Sequence, residues 1–178
     1  MDTIKKVRTP LTEAVARSLR AGDEVAVSGV IYTARDMAHK RLCAAIQRGE
    51  KLPIELEGAI IYFVGPSPAR PGRVIGAAGP TTSSRMDGFS PVLIACGLRA
   101  MIGKGYRDDK VREALKEYGA VHLGAIGGAG ALLSKHIVSA EVVAYEDLST
   151  EAIRRLEVED FPALVAYDSV GETVYKEV

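Results

Sequence analysis

Apolar positions along the chain switch between helical and strand-like spacing, and the switches mark out the elements. Glu13 to Leu19 has helical spacing, with Thr12 placed to cap it and Gly22 to stop it. The polar residues through Pro10 lead into that helix. Glu24 to Thr33 is rich in β-branched residues and reads as a strand running straight into a helix from about Ala34 to Arg48. Thr33 and Asp36 have the spacing of a capping box at its start, and Met37, Ala38, Leu42, Ala45 and Ile46 form its buried stripe. After a turn at Pro53, Ala59 to Val64 is an apolar strand, 65–72 is a loop by composition, and Arg73 to Ala78 reads as another strand.

Ser90 and Pro91 open a helix whose apolar body is Val92 to Leu98. Met101 to Gly105 is a short strand ending in glycines, and Asp108 to Tyr118 is an amphipathic helix closed by Gly119. Ala120 to Ile126 is a strand, followed by the glycine-rich run 127–130 and a short apolar helix. Val138 to Tyr145 reads as a strand, the region around Thr150 to Leu156 as a small helix, and Pro162 to Tyr167 as the last strand. Strands alternating with helices predict an α/β layered domain. The length of 178 residues suits one domain spanning 1–178, and no repeat or linker divides it.

Composition narrows the function classes. Lysine plus arginine and aspartate plus glutamate are both 23, so the formal net charge is zero. That argues against a nucleic-acid or membrane-surface protein, which usually carries a basic excess. Apolar residues make up 47%, with no run of membrane-spanning length and no apolar core of a signal peptide after Met1, so a cytoplasmic protein is expected. Cys43 and Cys96 fall in apolar helix-like segments, which predicts buried structural thiols rather than a disulfide framework or a cysteine-rich metal site.

Four places carry chemistry. Gly79-Pro80-Thr81-Thr82-Ser83-Ser84-Arg85-Met86-Asp87 puts four consecutive hydroxyls, a guanidinium and a carboxylate between a predicted strand and a predicted helix. Hydroxyls and N–H groups at a helix mouth favour an anion, although an ordinary cap and turn uses the same residue types. Arg35 and His39 are four apart on one helix face; arginine suits a carboxylate and histidine can carry a proton, whereas a solvated face with a packed His39 is the plain alternative. His39 with Cys43 also has metal-ligand spacing, but two ligands make no site. Gly103-Lys104-Gly105 lets a ligand approach the backbone beside an ammonium, yet fails the Walker A spacing. The run 124–130 fails the dinucleotide spacing, and close packing is the better use of its glycines. Together, Arg35, Arg85 and Lys104 as cations, with His39 and Thr81 to Ser84 as hydrogen-bonding groups, suit a small dicarboxylate better than a nucleotide.

The motifs T-A-R-D-M-A-H-K-R (33–41), G-P-T-T-S-S-R-M-D (79–87), I-G-K-G (102–105) and G-A-I-G-G-A-G-A (124–131) occur in an order that resembles the β subunit of class I iron–sulfur-dependent hydro-lyases. These are the two-subunit fumarases and L-tartrate dehydratases, and the resemblance runs from about Thr9 to Tyr167. It implies a swivelling β/β/α three-layer domain with a mixed central sheet, closing over an active site shared with an α subunit. That partner would carry three cysteines holding a 4Fe-4S cluster, in an expected α2β2 assembly, and neither cysteine here matches a cluster ligand. Residue by residue, the resemblance makes Arg35, Thr81, Arg85 and Lys104 substrate contacts and His39 an active-site residue. Thr81 and a base supplied by the partner are both candidates for proton removal. The implied activity is reversible hydration of fumarate to L-malate, with tartrate dehydration as the alternative. A non-catalytic anion-binding module of the same fold is the reading from another class.

Overall fold

The computed structural model describes residues 3–126 and 130–176. Seven strands make one mixed sheet: β1 (Lys5–Arg8), β2 (Glu24–Thr33), β3 (Ile60–Tyr62), β4 (Ala100–Gly103), β5 (Val121–Ala125), β6 (Ile137–Ala144) and β7 (Ile153–Tyr167). Their order is β1-β2-β3-β4-β5-β7-β6, and β7 also pairs with β2. Strands β1 to β5 run parallel, while β7 is antiparallel to β2, β5 and β6. The sheet therefore folds back on itself, because β7 bonds to β2 along one edge and to β6 and then β5 along the other.

Strand alternation sorts the core into two layers. Ile60, Tyr62 and Val64 point between the two halves of the folded sheet, with Val27, Ile31, Ile102, Leu123, Leu156 and Phe161. Ile61 and Phe63 point the other way, beneath α2 (Asp36–Gln47), α3 (Ser90–Ala95) and α4 (Asp109–Tyr118), where they meet Leu42, Leu93 and Leu115. This is the expected β/β/α layering. Fully burying each such aliphatic side chain is worth about 1.5–3 kcal/mol, so the two layers hold the sheet closed. No helix among the described residues is long and apolar enough to cross a membrane.

Local capping signals hold at two helices. Thr12 accepts from the Val15 N–H at 3.2 Å at the start of α1 (Glu13–Ser18). Asp108 accepts from Val111 N–H at 2.9 Å, and Gly119 ends α4 at φ 73°, a conformation that favours glycine. The short apolar helix after the glycine run is α5 (Gly130–Leu133).

Elsewhere the tertiary structure overrides the pattern. Lys5–Arg8 is an edge strand with Val7 alone buried, so it offers no alternation to read. Arg73 to Ala78 is not a strand: its backbone turns back on Ser67, with Ser67 N–H donating to Ala77 O at 3.1 Å and Ala77 N–H to Ser67 Oγ at 2.8 Å. The helix expected near Thr150 to Leu156 ends at Glu151 as a 3-10 turn, and Ile153 begins the 15-residue β7, of which Pro162 to Tyr167 is only the end. Ile153 and Leu156 mimic helical spacing, but pairing with β2 and β6 decides their conformation. No side chain caps α2; Thr33 Oγ1 instead accepts from Arg154 N–H at 3.1 Å and donates to Ala152 O. Met37 is 43% exposed, outside the buried stripe. Cys96 is exposed at the end of α3, and Cys43 is half-buried.

Candidate functional site

The sequence-predicted residues gather beyond the C-terminal ends of parallel strands, the usual ligand position in sheets of this kind. Arg35 follows β2, and Lys104 follows β4. The segment that carries Thr81 and Arg85 is laid against the ends of β3 and β4. Thr81 N–H donates to Phe63 O at 2.7 Å, Lys104 N–H to Thr81 O at 3.3 Å and Ser83 N–H to Lys104 O at 2.8 Å. Thr82 and Lys104 form a parallel bridge. These N–H groups of Thr81 and Ser83 are thus spent on neighbouring backbone and do not form an open anion nest at a helix mouth. The four hydroxyls divide: Ser83 is buried, Thr81 half-buried, and Thr82 and Ser84 exposed.

Two of the three cations meet on one carboxylate. Arg85 reaches Asp36 through Nε at 3.0 Å and Nη2 at 2.9 Å, and Arg35 Nε lies 4.0 Å from the other Asp36 oxygen. The side chains are 50% exposed at Arg85 and 31% at Asp36, so water screens the pair and its net worth is about 0–1 kcal/mol. A ligand carboxylate can therefore recruit Arg85 at little cost. Arg35 is held more tightly: a Cβ at Gly65 would lie 3.0 Å from its Cδ, so glycine there lets the arginine pass. Arg35 Nε and Asp36 Oδ1 are both buried without a hydrogen-bond partner. Free donors on a half-buried arginine are what a carboxylate ligand needs. Sequence spacing had assigned Asp36 to a helix cap, and its role between two arginines appears only when residues 49 positions apart meet.

His39 is fully buried. Its Nδ1 lies 2.8 Å from Arg35 O, a carbonyl that can only accept, so Nδ1 carries the proton. Nε2 has no partner, and the ring packs on Phe63 at 5.2 Å and Phe89 at 6.1 Å between centroids. Burial pushes its pKa down to about 4, opposed by the Arg35 hydrogen bond. At neutral pH His39 is uncharged and anchors the backbone of Arg35.

This depression has a measurable consequence. An unfolded chain takes up a proton on His39 below about pH 6.5, whereas the folded chain resists until about 4, so stability falls as pH drops through that window. The expected loss from His39 is about 2 kcal/mol at pH 5, using ~1.4 kcal/mol per pKa unit. His122, also held well below its ordinary value by burial, adds to the same trend. Thermal denaturation between pH 7 and 4.5 should show a falling midpoint, with a shallower fall in His39→Gln. A flat profile in the unaltered chain contradicts the assignment.

Beneath the Thr81–Asp87 segment lies a cluster that the motifs did not reveal. Arg107, whose side chain has no exposure, donates to Asp87 Oδ1 at 2.7 Å, Ser90 Oγ at 2.5 Å and His122 Nδ1 at 3.1 Å. Burial pulls Arg107 down and Asp87 up, toward their neutral forms, and their mutual hydrogen bond opposes both shifts. A histidine inside an otherwise apolar strand was the one sequence signal for it.

The described residues of this chain do not fit an iron–sulfur cluster. Cys96 faces solvent, and Cys43 sits against Phe89 O at 3.7 Å with its thiol pushed up by burial. No three His, Cys, Asp or Glu side chains among the described residues come together as metal ligands. Residues 127–129, part of the run 124–130 read as suited to close packing, lie outside the described residues.

The family described as Fumarase C-terminus matches residues 2–178. The aerobic class I fumarate hydratase of Escherichia coli K12 is 36% identical over 173 residues, covering 95% of this chain and 32% of that protein. A putative class I fumarate hydratase of Geobacillus stearothermophilus is 37% identical, covering 97% of this chain and 34% of its own length. A protein of Methanocaldococcus jannaschii described as a putative L(+)-tartrate dehydratase subunit β is 37% identical over 174 residues, covering 94% of this chain and 89% of that one. The chain thus spans about a third of the fumarate hydratases and nearly all of the tartrate dehydratase subunit. On this match, which takes in residues 2–178, the chain belongs to the fumarase C-terminus family.

Proposed function

We propose that this chain is the β component of a two-part hydro-lyase and supplies the carboxylate-binding half of its active site. The observation that carries the reading is the convergence of Arg35 and Arg85 on Asp36 at an open face, beside Thr81 and Lys104. Arg35, Arg85 and Lys104 hold the two carboxylates of a dicarboxylate and stabilise the negative charge that spreads onto one of them when a carbon-bound proton leaves. Thr81, with its backbone bonded on both sides, presents its hydroxyl at a fixed point of that face. A free hydroxyl is a weak base, so Thr81 needs activation or a companion base from the other half. In this reading a 4Fe-4S cluster, held by three cysteines, belongs to the α partner, and the two halves pair again as α2β2.

Hydration of fumarate to L-malate is the preferred reaction, and dehydration of L-tartrate is the second reading, supported by the 37% identity to the putative tartrate dehydratase subunit. The test is anaerobic co-purification with the cluster-bearing partner, followed by assays on malate and on tartrate. Malate preference supports the first reading and tartrate preference replaces it. Activity on neither would leave a non-catalytic anion-binding module, and activity of the chain alone would contradict the shared site.

A further inference from the structure

We propose that Arg107 and His122 are positioning residues: with Asp87 and Ser83 they form a buried clamp that sets where Thr81, Arg85 and Lys104 stand. A guanidinium only donates, so the 3.1 Å contact from Arg107 Nη1 makes His122 Nδ1 an acceptor and leaves the ring proton on Nε2. Nε2 then donates to Ser83 Oγ at 3.1 Å. The same guanidinium holds Asp87 directly at 2.7 Å. One buried cation therefore grips the segment at two points, two residues before and two residues after Arg85.

The grip extends to the other site residues. Ser83 N–H bonds Lys104 O at 2.8 Å, so fixing Ser83 fixes the lysine backbone. Arg107 lies 5.3 Å from the centre of the Phe63 ring, and the Phe63 carbonyl receives Thr81 N–H. A Cβ at Gly103 would fall 2.2 Å from Ser83 Oγ and 2.8 Å from Phe63 Cδ2, so only glycine lets Ser83 rest on the strand. Buried ion pairs add little net stability compared with apolar packing, and holding a geometry is their better-attested use. Here the geometry held is that of the substrate-facing segment.

His122 can be divided chemically. In His122→Asn the amide oxygen takes the place of Nδ1 and still accepts from Arg107, but the donor to Ser83 is lost. In His122→Gln the amide nitrogen takes the place of Nε2 and keeps that donor. Hydrogen exchange on the full chain is the first readout. Both His122→Asn and Ser83→Ala should speed exchange at amides 81–87 by about tenfold, as expected for losing one net hydrogen bond, and leave β7 and α4 unchanged. His122→Gln should stay closer to the unaltered chain at those amides. The double variant His122→Asn with Ser83→Ala should exchange no faster than either single one.

The second readout rests on the function proposed above. In the reconstituted pair, His122→Asn should raise KM about tenfold with a smaller change in kcat, as expected when a binding group is displaced. Uniform acceleration of exchange across the chain, or additive effects in the double variant, would overturn the clamp. If the His122 variants do not fold, Ser83→Ala alone decides, and unchanged exchange at 81–87 sinks the proposal. An unaltered pair that dehydrates neither malate nor tartrate refutes the function and leaves the exchange result to judge the clamp.

Discussion

Replacing Arg35 by methionine in the reconstituted pair is expected to lower kcat/KM by roughly 10²–10³, the usual effect of removing one donor that meets developing charge. Arg35 is less committed to its neighbours than Arg85. Arg85 already spends two nitrogens on Asp36, while Arg35 keeps its distance at 4.0 Å and has a buried Nε with no partner. Because Arg35 Nε makes no hydrogen bond and only a long, 4.0 Å ion pair to Asp36, the substitution should leave the thermal midpoint within a few degrees of its original value. Arg35→Lys should recover only part of the activity, since an ammonium cannot offer two parallel donors to a carboxylate. A value of kcat/KM within threefold of the original in Arg35→Met would remove Arg35 from the substrate site.

The second large effect is on stability. Arg107→Met removes the partner of Asp87, the donor to His122 and the donor to Ser90 in one step. Arg107 has no side-chain exposure and Asp87 only 13%, so a carboxylate is left with little water and no countercharge, held only by the Asp108 N–H at 3.1 Å. Breaking such a buried pair costs about 3–5 kcal/mol. For a chain of this size each kcal/mol moves the midpoint by about 2–4 °C, so the expected drop is roughly 6–20 °C. Asp87→Asn in the Arg107→Met background should restore part of it, because the stranded charge is gone. A drop below about 3 °C in the single variant would show that water reaches the cluster and screens it.

Much of the architecture is legible in the sequence. Strong single-period segments such as Glu24–Thr33 and Asp109–Tyr118 carried their identity locally, the second with a cap and a terminal glycine. Segments without an alternation of their own were not legible. Lys5–Arg8 buries one side chain, and Ile153–Tyr167 is bent, with Asp160 at φ 48° and its register to β2 shifting between Val27 and Gly29. Such strands exist because neighbours pair with them, and a neighbour leaves no mark on spacing.

The candidate site divides in the same way. The order of the motifs determined which family the chain resembles and that Arg35, Thr81, Arg85 and Lys104 are its polar inventory. Only the tertiary structure decided what each side chain does with its neighbours. Asp36 proved to stand between two arginines, His39 is neutral and buried behind Arg35, and Arg107 grips both ends of the segment around Arg85. The physical reason is that periodicity encodes which face of one element avoids water, a property of neighbours along the chain. Hydrogen bonds between side chains 15 to 49 positions apart depend on sheet register and burial, and these exist only once the chain has closed on itself.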